Sequence, residues 1–257
     1  MNTVSVVIIS QNEEKKIHRC LDSVKDIADE IIVVDSGSTD ATEDICRSFG
    51  TTFVRQDWLG YAAQKNFADG LASCDLIFSI DADEALSEPL KASIKQLKGK
   101  ALLDNEVFSM NRLNNYCGRW IKRCGLYPDN KIRLWKRGFA RWEGTIHEWL
   151  EFQDEPKKTQ LQGDLLHYSY DTPEGYRQQL FHFAELGAQS YYERHKKTGI
   201  LYWLFDPAIT FIRTYFIKGG ILEGKTGFEI CRTAMQANRH KYNLLREKLW
   251  KSHSKKK

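Results

Sequence analysis

The segment Asp81-Ala82-Asp83-Glu84 places three carboxylates within four positions, directly after an apolar run. If the chain is extended there, Asp81 and Asp83 point to the same side, because side chains two residues apart share a face. One or two carboxylates together with substrate phosphates are the usual ligands of Mg²⁺. The pair therefore predicts a site for Mg²⁺ or Mn²⁺, and an acidic turn that only caps the following segment is the alternative interpretation.

Two other polar segments follow apolar runs near the N-terminus. They are Ser10-Gln11-Asn12-Glu13 and Asp35-Ser36-Gly37-Ser38-Thr39-Asp40. Neither contains the G-x-G-x-x-G pattern of dinucleotide-binding folds. The sequence matches G-x-x-x-x-G-K-[ST] once, at 219–226, in the helical C-terminal region and not after a predicted strand. These observations argue against a dinucleotide-dependent dehydrogenase and against a P-loop NTPase.

The elements that must position these residues alternate between strand and helix four times in the first 80 residues. Apolar runs predict strands over 4–9, 31–34, 52–54 and 76–80. This order predicts an α/β fold in which helices cover both faces of an open, mostly parallel sheet. Ligands of such sheets bind beyond the carboxyl ends of the strands, so we expect Asp35 and Asp81 to share one crevice.

In this order, the polar segments, the helix residues Gln64-Lys65-Asn66 and the acidic segment closely resemble the family 2 glycosyltransferases, which have the GT-A fold. The resemblance covers about residues 3–150. It implies that Asp35 is a nucleotide-binding carboxylate, that Lys65 lies near the donor diphosphate and that Asp83 is a metal ligand. The chain departs from the common family pattern at Ser36, where a second Asp is usual, and at Lys65, where Arg is frequent.

The resemblance also implies a wider contact surface for the donor nucleotide. The residues expected on it, besides Asp35 and Lys65, are Ser10, Asn12, Glu13, Asp81 and Arg133. The metal would be held by Asp83 and Asp81.

The segments 129–138 and 141–148 look like the branch that contains lipopolysaccharide-core β-1,4-glucosyltransferases. Transfer of a sugar requires a carboxylate base at the acceptor and positive charge at the departing diphosphate. We expect Glu148 to be the base, with Asp129 as the second candidate, and His147 to orient the acceptor or contact a phosphate. Lys131 and Arg133 are candidates for neutralising the leaving group. An ion pair between Glu148 and an Arg is the structural alternative.

Charge is distributed unevenly along the chain. Residues 190–257 contain 15 Lys and Arg against 5 Asp and Glu, although the net charge of the whole chain is only +4. Aromatic residues are interleaved with these basic residues, as in helices that lie in the headgroup region of anionic membranes. Packing of the same aromatics against the catalytic domain or a second subunit is an equally open interpretation.

The sequence thus predicts a catalytic domain over 1–170 and a basic, helical C-terminal region over 171–257. The resemblance implies an activity, which is inverting transfer of a hexose, with glucose expected, from a UDP-sugar to a lipopolysaccharide-core or related cell-envelope glycan or glycolipid. No basic leader and no cleavage site precede Val4, so we expect cytoplasmic localisation, with peripheral attachment to the inner face of the inner membrane.

Two other classes of function compete with this prediction. One is a haloacid-dehalogenase-like phosphohydrolase in which Asp81 is the nucleophile, although Ala85 stands where that motif has Thr or Val. The other is a non-catalytic protein that binds a nucleotide or RNA through its basic end. Basic residues alone give only salt-sensitive, non-specific binding, so no specific nucleic acid is expected as a partner.

Overall fold

The computed structural model describes residues 1–144, 148–194 and 200–254. The chain forms two compact units. The first unit contains Met1–Leu113 and Asp129–Tyr168, and the second contains Asn114–Pro128 and Ser169–Lys257.

Strands and helices alternate in the first part of the chain, as predicted. The strands are β1 (Val4–Ser10), β2 (Glu30–Asp35), β3 (Thr52–Arg55), β4 (Leu76–Ser79), β5 (Glu84–Leu86), β6 (Glu106–Tyr116), β7 (Arg119–Ile121), β8 (Asp129–Lys136), β9 (Ala140–Glu143), β10 (Trp149–Phe152) and β11 (Lys157–Tyr170). The helices are α1 (Ile17–Val24), α2 (Thr42–Ser48), α3 (Tyr61–Leu71), α4 (Glu88–Leu97), α5 (Pro173–Glu193), α6 (Ile200–Ile212) and α7 (Gly224–Ser254).

The large sheet of the first unit has the strand order β3-β2-β1-β4-β8-β6-β11-β5. Strands β3, β2, β1 and β4 are parallel to one another, whereas β4 pairs with β8, β8 with β6, and β11 with β5 in antiparallel fashion. The register of β1 and β2 sets Ser10 opposite Asp35. The two polar segments that follow these strands therefore begin at the same edge of the sheet.

The core explains why the first strand consists of consecutive apolar residues. Val6 and Ile8 pack on one face of the sheet in a cluster that also contains residues of α1 and α4. Val7 belongs to a separate cluster with Ala62 and Ala68 of α3. Since both faces of the sheet are covered by helices, every position of β1 except the partly exposed Ile9 is buried. The predicted α/β fold class is confirmed.

The polar residues 12–14 and the helical spacing of Ile17, Leu21 and Val24 predict a helix that begins at Asn12, but α1 begins later. Asn12 has a φ of 55°, a left-handed conformation that Asn tolerates better than most residues. A helix cannot run through this geometry, so residues 12–16 form turns and α1 begins at Ile17.

The second unit is mostly helical, as predicted for the C-terminal region. A π-helical turn (Arg213–Ile217) and a 3₁₀ turn (Gly220–Glu223) lie between α6 and α7. Its core includes Tyr116, Tyr176 and Ile230. Among the described residues, no helix combines the length and the apolar character that a bilayer crossing demands.

Candidate active site

Lys65 of α3 lies between two carboxylates that come from distant parts of the chain. Its Nζ is 3.1 Å from Oδ1 of Asp81 and 3.3 Å from Oε1 of Glu148. The same ammonium lies 4.5 Å from the centre of the Trp142 ring, within the range of a cation–π contact. The Lys65 side chain is only 5% exposed, so its charge acts where solvent screening is weak.

Arg133 of β8 holds the other side of Asp81. Its Nη2 is 2.5 Å from Oδ2 of Asp81 and 2.8 Å from Oε1 of Glu84. The second oxygen of Glu84 accepts a hydrogen bond from the backbone N–H of Asp81 at 3.1 Å. Glu84 and Arg133 are both buried, so this pair fixes the carboxylate of Asp81 from within the protein.

The charges of Lys65 and Arg133 change the pKa of Asp81. Burial opposes the ionised form of this carboxyl, but the positive charges of Arg133 and Lys65 outweigh it and hold the pKa of Asp81 well below its ordinary value. Asp81 is therefore a permanent carboxylate rather than a proton donor.

Asp129 lies further along the same chain of charges. Nη1 of Arg112 is 3.6 Å from Glu84, and its Nη2 is 2.8 Å from Oδ2 of Asp129. Lys131 lies 3.0 Å from the other oxygen of Asp129. Burial alone would raise the pKa of Asp129. The positive charges of Arg112 and Lys131 have the larger effect, so the pKa of Asp129 lies below its ordinary value.

The side chains of Asp81 and Asp83 point in different directions. The expectation that an extended segment sets them on the same side is therefore wrong. Ala82 and Asp83 form a turn, closed by a hydrogen bond from the N–H of Glu84 to the carbonyl of Asp81. Oδ2 of Asp83 lies 3.3 Å from Nε2 of His167 and 3.9 Å from Nζ of Lys16. The two aspartates of the motif therefore have different partners.

His167 of β11 is a residue that the sequence analysis missed. It stands opposite Glu84 in the pairing of β11 with β5, and this register brings its ring to Asp83. An imidazole beside a carboxylate is a suitable pair of ligands for Mn²⁺, whose remaining positions water and a diphosphate can fill. Within the described ranges, no group of three or more His, Cys, Asp and Glu residues is arranged to hold a metal.

Asp35 anchors a different part of the same sheet edge. Its Oδ1 accepts from the backbone N–H groups of Gly37 at 3.0 Å and Ser38 at 2.7 Å. Its Oδ2 accepts from the hydroxyls of Ser10 at 2.9 Å and Ser38 at 2.5 Å. These four hydrogen bonds satisfy the buried carboxylate of Asp35 and fix the loop that follows β2.

Asn12 and Glu13 belong to this loop region. The N–H of Asn12 donates to the Ser38 hydroxyl at 2.7 Å, and Oδ1 of Asn12 accepts from the N–H of Thr39 at 2.9 Å. The N–H of Glu13 donates to the hydroxyl of Thr42 at 2.8 Å. The donor-site residues predicted after β1 and β2 thus lie together, whereas Lys65, Asp81, Arg133 and Glu148 form the second group.

The neighbours of Lys65 in α3 fix the position of the helix. The Gln64 amide donates to the Ser36 hydroxyl at 3.1 Å and to the carbonyl of Gln56 at 3.2 Å. Asn66 donates to the carbonyl of Trp142 at 2.7 Å and accepts from the N–H of Trp142 at 2.9 Å. Each residue of the Gln64-Lys65-Asn66 segment therefore contacts a different part of the site.

One predicted catalytic residue, His147, lies outside the described residues. Of the tryptophans near the site, Trp135 and Trp142 are buried, and Trp149 is 59% exposed.

Sequence similarity to known proteins identifies the family of this chain. The family model described as "Glycosyl transferase family 2" matches residues 5–109. An uncharacterized glycosyltransferase of Rickettsia typhi is 32% identical over 245 residues, which cover 85% of this chain and 80% of the relative. The chain belongs to the family 2 glycosyltransferases.

Two further proteins are similar to this glycosyltransferase. The lipopolysaccharide core biosynthesis glycosyltransferase LpsC of Rhizobium meliloti is 29% identical over 243 residues, which cover 87% of each chain. Glucosyl-3-phosphoglycerate synthase of Mycobacterium tuberculosis, solved with Mn²⁺, UDP and glucosyl-3-phosphoglycerate, is 25% identical over 44% of each chain with a TM-score of 0.35.

Family membership decides between the predicted classes of function. The glycosyltransferase prediction and its GT-A type of α/β fold are confirmed. The phosphohydrolase interpretation needs Asp81 as a free nucleophile, and in this glycosyltransferase Asp81 is held by Lys65 and Arg133. The interpretation as a non-catalytic nucleotide- or RNA-binding protein does not fit the family.

Proposed function

We propose that this glycosyltransferase moves a hexose, with glucose as the first donor to test, from a UDP-sugar to a lipopolysaccharide-core type of acceptor with inversion at the anomeric carbon. The observation that carries the proposal is the position of Lys65 between Asp81 and Glu148. It sets one buried cation, suited to a donor diphosphate, beside a carboxylate that can accept a proton. Residues 1–170 would form the catalytic part of the chain.

The reaction is a single displacement. An oxygen of the acceptor forms a bond to the anomeric carbon, while the bond from that carbon to the diphosphate oxygen breaks and UDP leaves with its electrons. The acceptor hydroxyl loses its proton to a general base. Attack on the face opposite the leaving group inverts the configuration.

Glu148 is the better base of the two candidates. Both oxygens of Asp129 are paired, one with Arg112 and the other with Lys131, and its pKa is held below its ordinary value. Among the described residues, Glu148 forms an ion pair with one cation, Lys65. A carboxylate paired with one cation is more available to an acceptor hydroxyl than one whose two oxygens are both paired with cations.

The cations of the site have different proposed tasks. Lys65 would bind the diphosphate directly and stabilise the charge that develops on UDP. Arg133 is only 4% exposed and is bonded to Asp81 and Glu84, so it would serve the donor site by holding Asp81. Lys131 is partly exposed beside Asp129 and is a second candidate for the leaving group.

We propose that Asp83 and His167 hold a divalent cation, Mn²⁺ or Mg²⁺, together with the donor. When bound, this ion would neutralise part of the diphosphate charge. Asp81 faces Lys65 and Arg133 instead, so its proposed part in metal binding is to fix the turn that carries Asp83. The loop anchored by Asp35, with Ser10, Asn12 and Glu13, would receive the nucleoside.

The acceptor class rests on similarity along most of the chain. The relative LpsC, named for lipopolysaccharide core biosynthesis, aligns with 87% of this chain. We therefore propose a lipid-linked core oligosaccharide as the acceptor and keep the cytoplasmic localisation expected from the sequence as part of the proposal.

A thermal-shift screen of nucleotide sugars tests the donor and the metal together. Binding to the folded state raises the melting temperature in proportion to RT ln(1 + [L]/Kd). We expect UDP-glucose to raise it with Mn²⁺ and much less with EDTA, and Asp83→Asn or His167→Gln to abolish the effect of Mn²⁺. A full shift in EDTA would refute the metal proposal, and a response to another nucleotide alone would refute the donor.

The variant Glu148→Gln tests the assignment of the base. It keeps the shape of the side chain but removes the proton acceptor, so we expect kcat to fall by roughly 10²–10⁴ while UDP binding changes little. Asp129→Asn is the matched control and should keep most of the turnover. The opposite pattern would make Asp129 the base, and loss of UDP binding in Glu148→Gln would assign Glu148 to the donor site.

A further inference from the structure

Helix α6 exposes its apolar side. Its residues Leu201, Leu204, Phe205, Ala208, Ile209 and Ile212 follow the spacing i, i+3, i+4, i+7, i+8 and i+11, which places them on one face of a helix. All six are exposed, and Leu201 is 64% exposed. We call these six residues the exposed stripe.

The opposite face of α6 carries the polar contacts, which is the reverse of an ordinary surface helix. The side-chain amide of Asn238 in α7 donates to Asp206 and to the hydroxyl of Thr210, both at 3.0 Å. The indole N–H of Trp203 donates to Asn243 at 2.7 Å. Because these bonds fix which side of α6 meets α7, the exposed stripe cannot turn inward without breaking them.

The apolar surface continues beyond α6. Phe216 and Ile217 of the π-helical turn and Ile221 and Leu222 of the 3₁₀ turn are all exposed, and Ile217 is 78% exposed. Soluble proteins rarely expose so many large apolar side chains in one stretch, and such patches mark interaction surfaces.

Cations without acidic partners accompany this surface. In the part of the chain that the structure describes, Arg213, Lys218 and Arg123 form no ion pair, and all three are exposed. The end of the Lys218 side chain lies beside Gly125, and the Arg123 guanidinium lies beside Gly219. Two of the cations are thus held near each other where the π-helical turn ends.

We propose that the exposed stripe and the turns after it insert into the headgroup region of an anionic lipid membrane, with Arg213, Lys218 and Arg123 contacting lipid phosphates. Apolar residues with flanking Lys and Arg are the composition of helices that lie in a membrane interface. The 13 residues of α6 are too few to cross a bilayer, so the helix would lie along the surface. Unpaired cations favour an anionic surface over a second copy of the same cationic patch.

This inference deepens the proposed function, because a lipid-linked acceptor is presented at such a surface. The docking argument itself uses only the second unit. Membrane binding and sugar transfer can therefore be tested separately.

Co-sedimentation of the full chain with vesicles tests the proposal. We expect binding to vesicles of phosphatidylcholine with phosphatidylglycerol, weaker binding to phosphatidylcholine alone, and loss of much of the binding in about 0.5 M salt. The triple variant Phe205→Ser, Ile209→Ser and Ile212→Ser should lower the partition coefficient by about tenfold or more. The triple variant Leu71→Ser, Leu103→Ser and Phe183→Ser removes exposed apolar residues elsewhere and should bind like the native chain.

Charge reversal tests the cationic part with its own control. Arg213→Glu with Lys218→Glu should weaken binding to anionic vesicles by about tenfold or more, because each basic residue near such a surface contributes about one kcal/mol. Lys157→Glu with Lys158→Glu changes the net charge equally at exposed positions of β11 and should have little effect.

Three outcomes would overturn the docking proposal. They are a native chain that stays in the supernatant at low salt, equal losses in the stripe and control variants, and a dimer that the stripe variant converts to a monomer without any vesicle binding. UDP binding, measured on every variant, reports folding and the donor site independently. A chain that binds vesicles but transfers no sugar would refute the proposed function and leave the docking surface standing.

Discussion

Asp35 is the last residue of β2 and Asp81 follows β4, the two strands that flank β1, yet the protein stabilises these carboxylates in different ways. Asp35 accepts four hydrogen bonds from hydroxyls and backbone N–H groups, and no cation contacts it in the described chain. Asp81 is bound by two buried cations, Lys65 and Arg133. One carboxylate is held by neutral donors of its own loop, and the other is held by charges from distant elements.

The difference separates local from long-range stabilisation. Three of the four bonds to Asp35 come from Gly37 and Ser38, two and three residues away. Arg133 reaches Asp81 from 52 residues away. A local donor set forms with the loop, whereas the charge set forms only after β8 and α3 have packed against the sheet.

The largest effect is expected where the charge set is broken. Arg133→Met removes a buried guanidinium. Among the described residues, the buried Glu84 then keeps one cationic partner, Arg112 at 3.6 Å. Breaking a buried ion pair in this way costs about 3–5 kcal/mol of unfolding free energy. Urea unfolding followed by circular dichroism measures it.

Lys131→Met is the matched control for this loss. Lys131 pairs with Asp129 at 3.0 Å, but its side chain is partly exposed, so we expect a loss of no more than about 1 kcal/mol. Similar losses for both variants would mean that burial of the Arg133 pair carries no special weight.

A smaller effect is expected at the local donor set. Asp35→Asn keeps the shape of the side chain but turns an amide N–H₂ towards groups that donate to the carboxylate. Because serine hydroxyls can rotate and accept instead, we expect a loss of about 1–3 kcal/mol. Ser38→Ala should cost less, and UDP titration of both variants reports the loop as a nucleoside site. A loss in Asp35→Asn greater than in Arg133→Met would reverse the comparison.

A third carboxylate, Asp69 of α3, has neither a set of hydrogen-bond donors like that of Asp35 nor an ion pair like those of Asp81 among the described residues. No well-formed hydrogen bond reaches either of its buried oxygens. Burial raises its pKa from 3.8 to about 7, against the opposing effects of Lys65 and the Trp142 indole. Among these carboxylates, the one without donors or bound cations is thus the one that resists ionisation.

The smallest predicted effect concerns this residue and depends on pH. The folded chain binds the Asp69 proton more tightly than the unfolded chain does. The contribution of Asp69 to the free energy of unfolding therefore falls as pH rises from about 4 to about 7 and is constant above that. Asp69→Asn removes the titration and should stabilise the protein by about 1–2 kcal/mol at pH 8, with little gain at pH 4. Melting temperatures across this range measure it, and an equal change at both pH values would contradict the prediction.

The fold could be predicted from the sequence because its signals are local and repeated. Val4–Ser10 and Glu30–Asp35 are largely buried strands that each end in a polar residue, and the parallel order follows from the helices between them. The loop at Asp35 could be located for the same reason. The predicted helix start at Asn12 was wrong, because the left-handed φ of this single residue leaves no signal in the sequence pattern.

The contacts of Asp83 with His167 and of Glu84 with Arg133 could not be predicted, because they depend on how distant strands pair in the sheet. The pairing of β11 with β5 brings His167 to Asp83. In the sequence, Glu84 looks like part of an acidic turn, but in the structure it forms an ion pair with Arg133. A histidine at the end of a β-like run is common, and nothing in its neighbourhood in the sequence points to a carboxylate 84 positions earlier.

Asn66 has a consequence for the range of sequences that this site can accept. Its side chain bonds both the N–H and the carbonyl of Trp142, in the way that a neighbouring strand would. Aspartate lacks the donor, serine is too short, and glutamine is one methylene longer. In a library randomised at residues 64–66 and selected for sugar transfer, position 66 should therefore return almost entirely asparagine, although Asn66 itself performs none of the proposed chemistry.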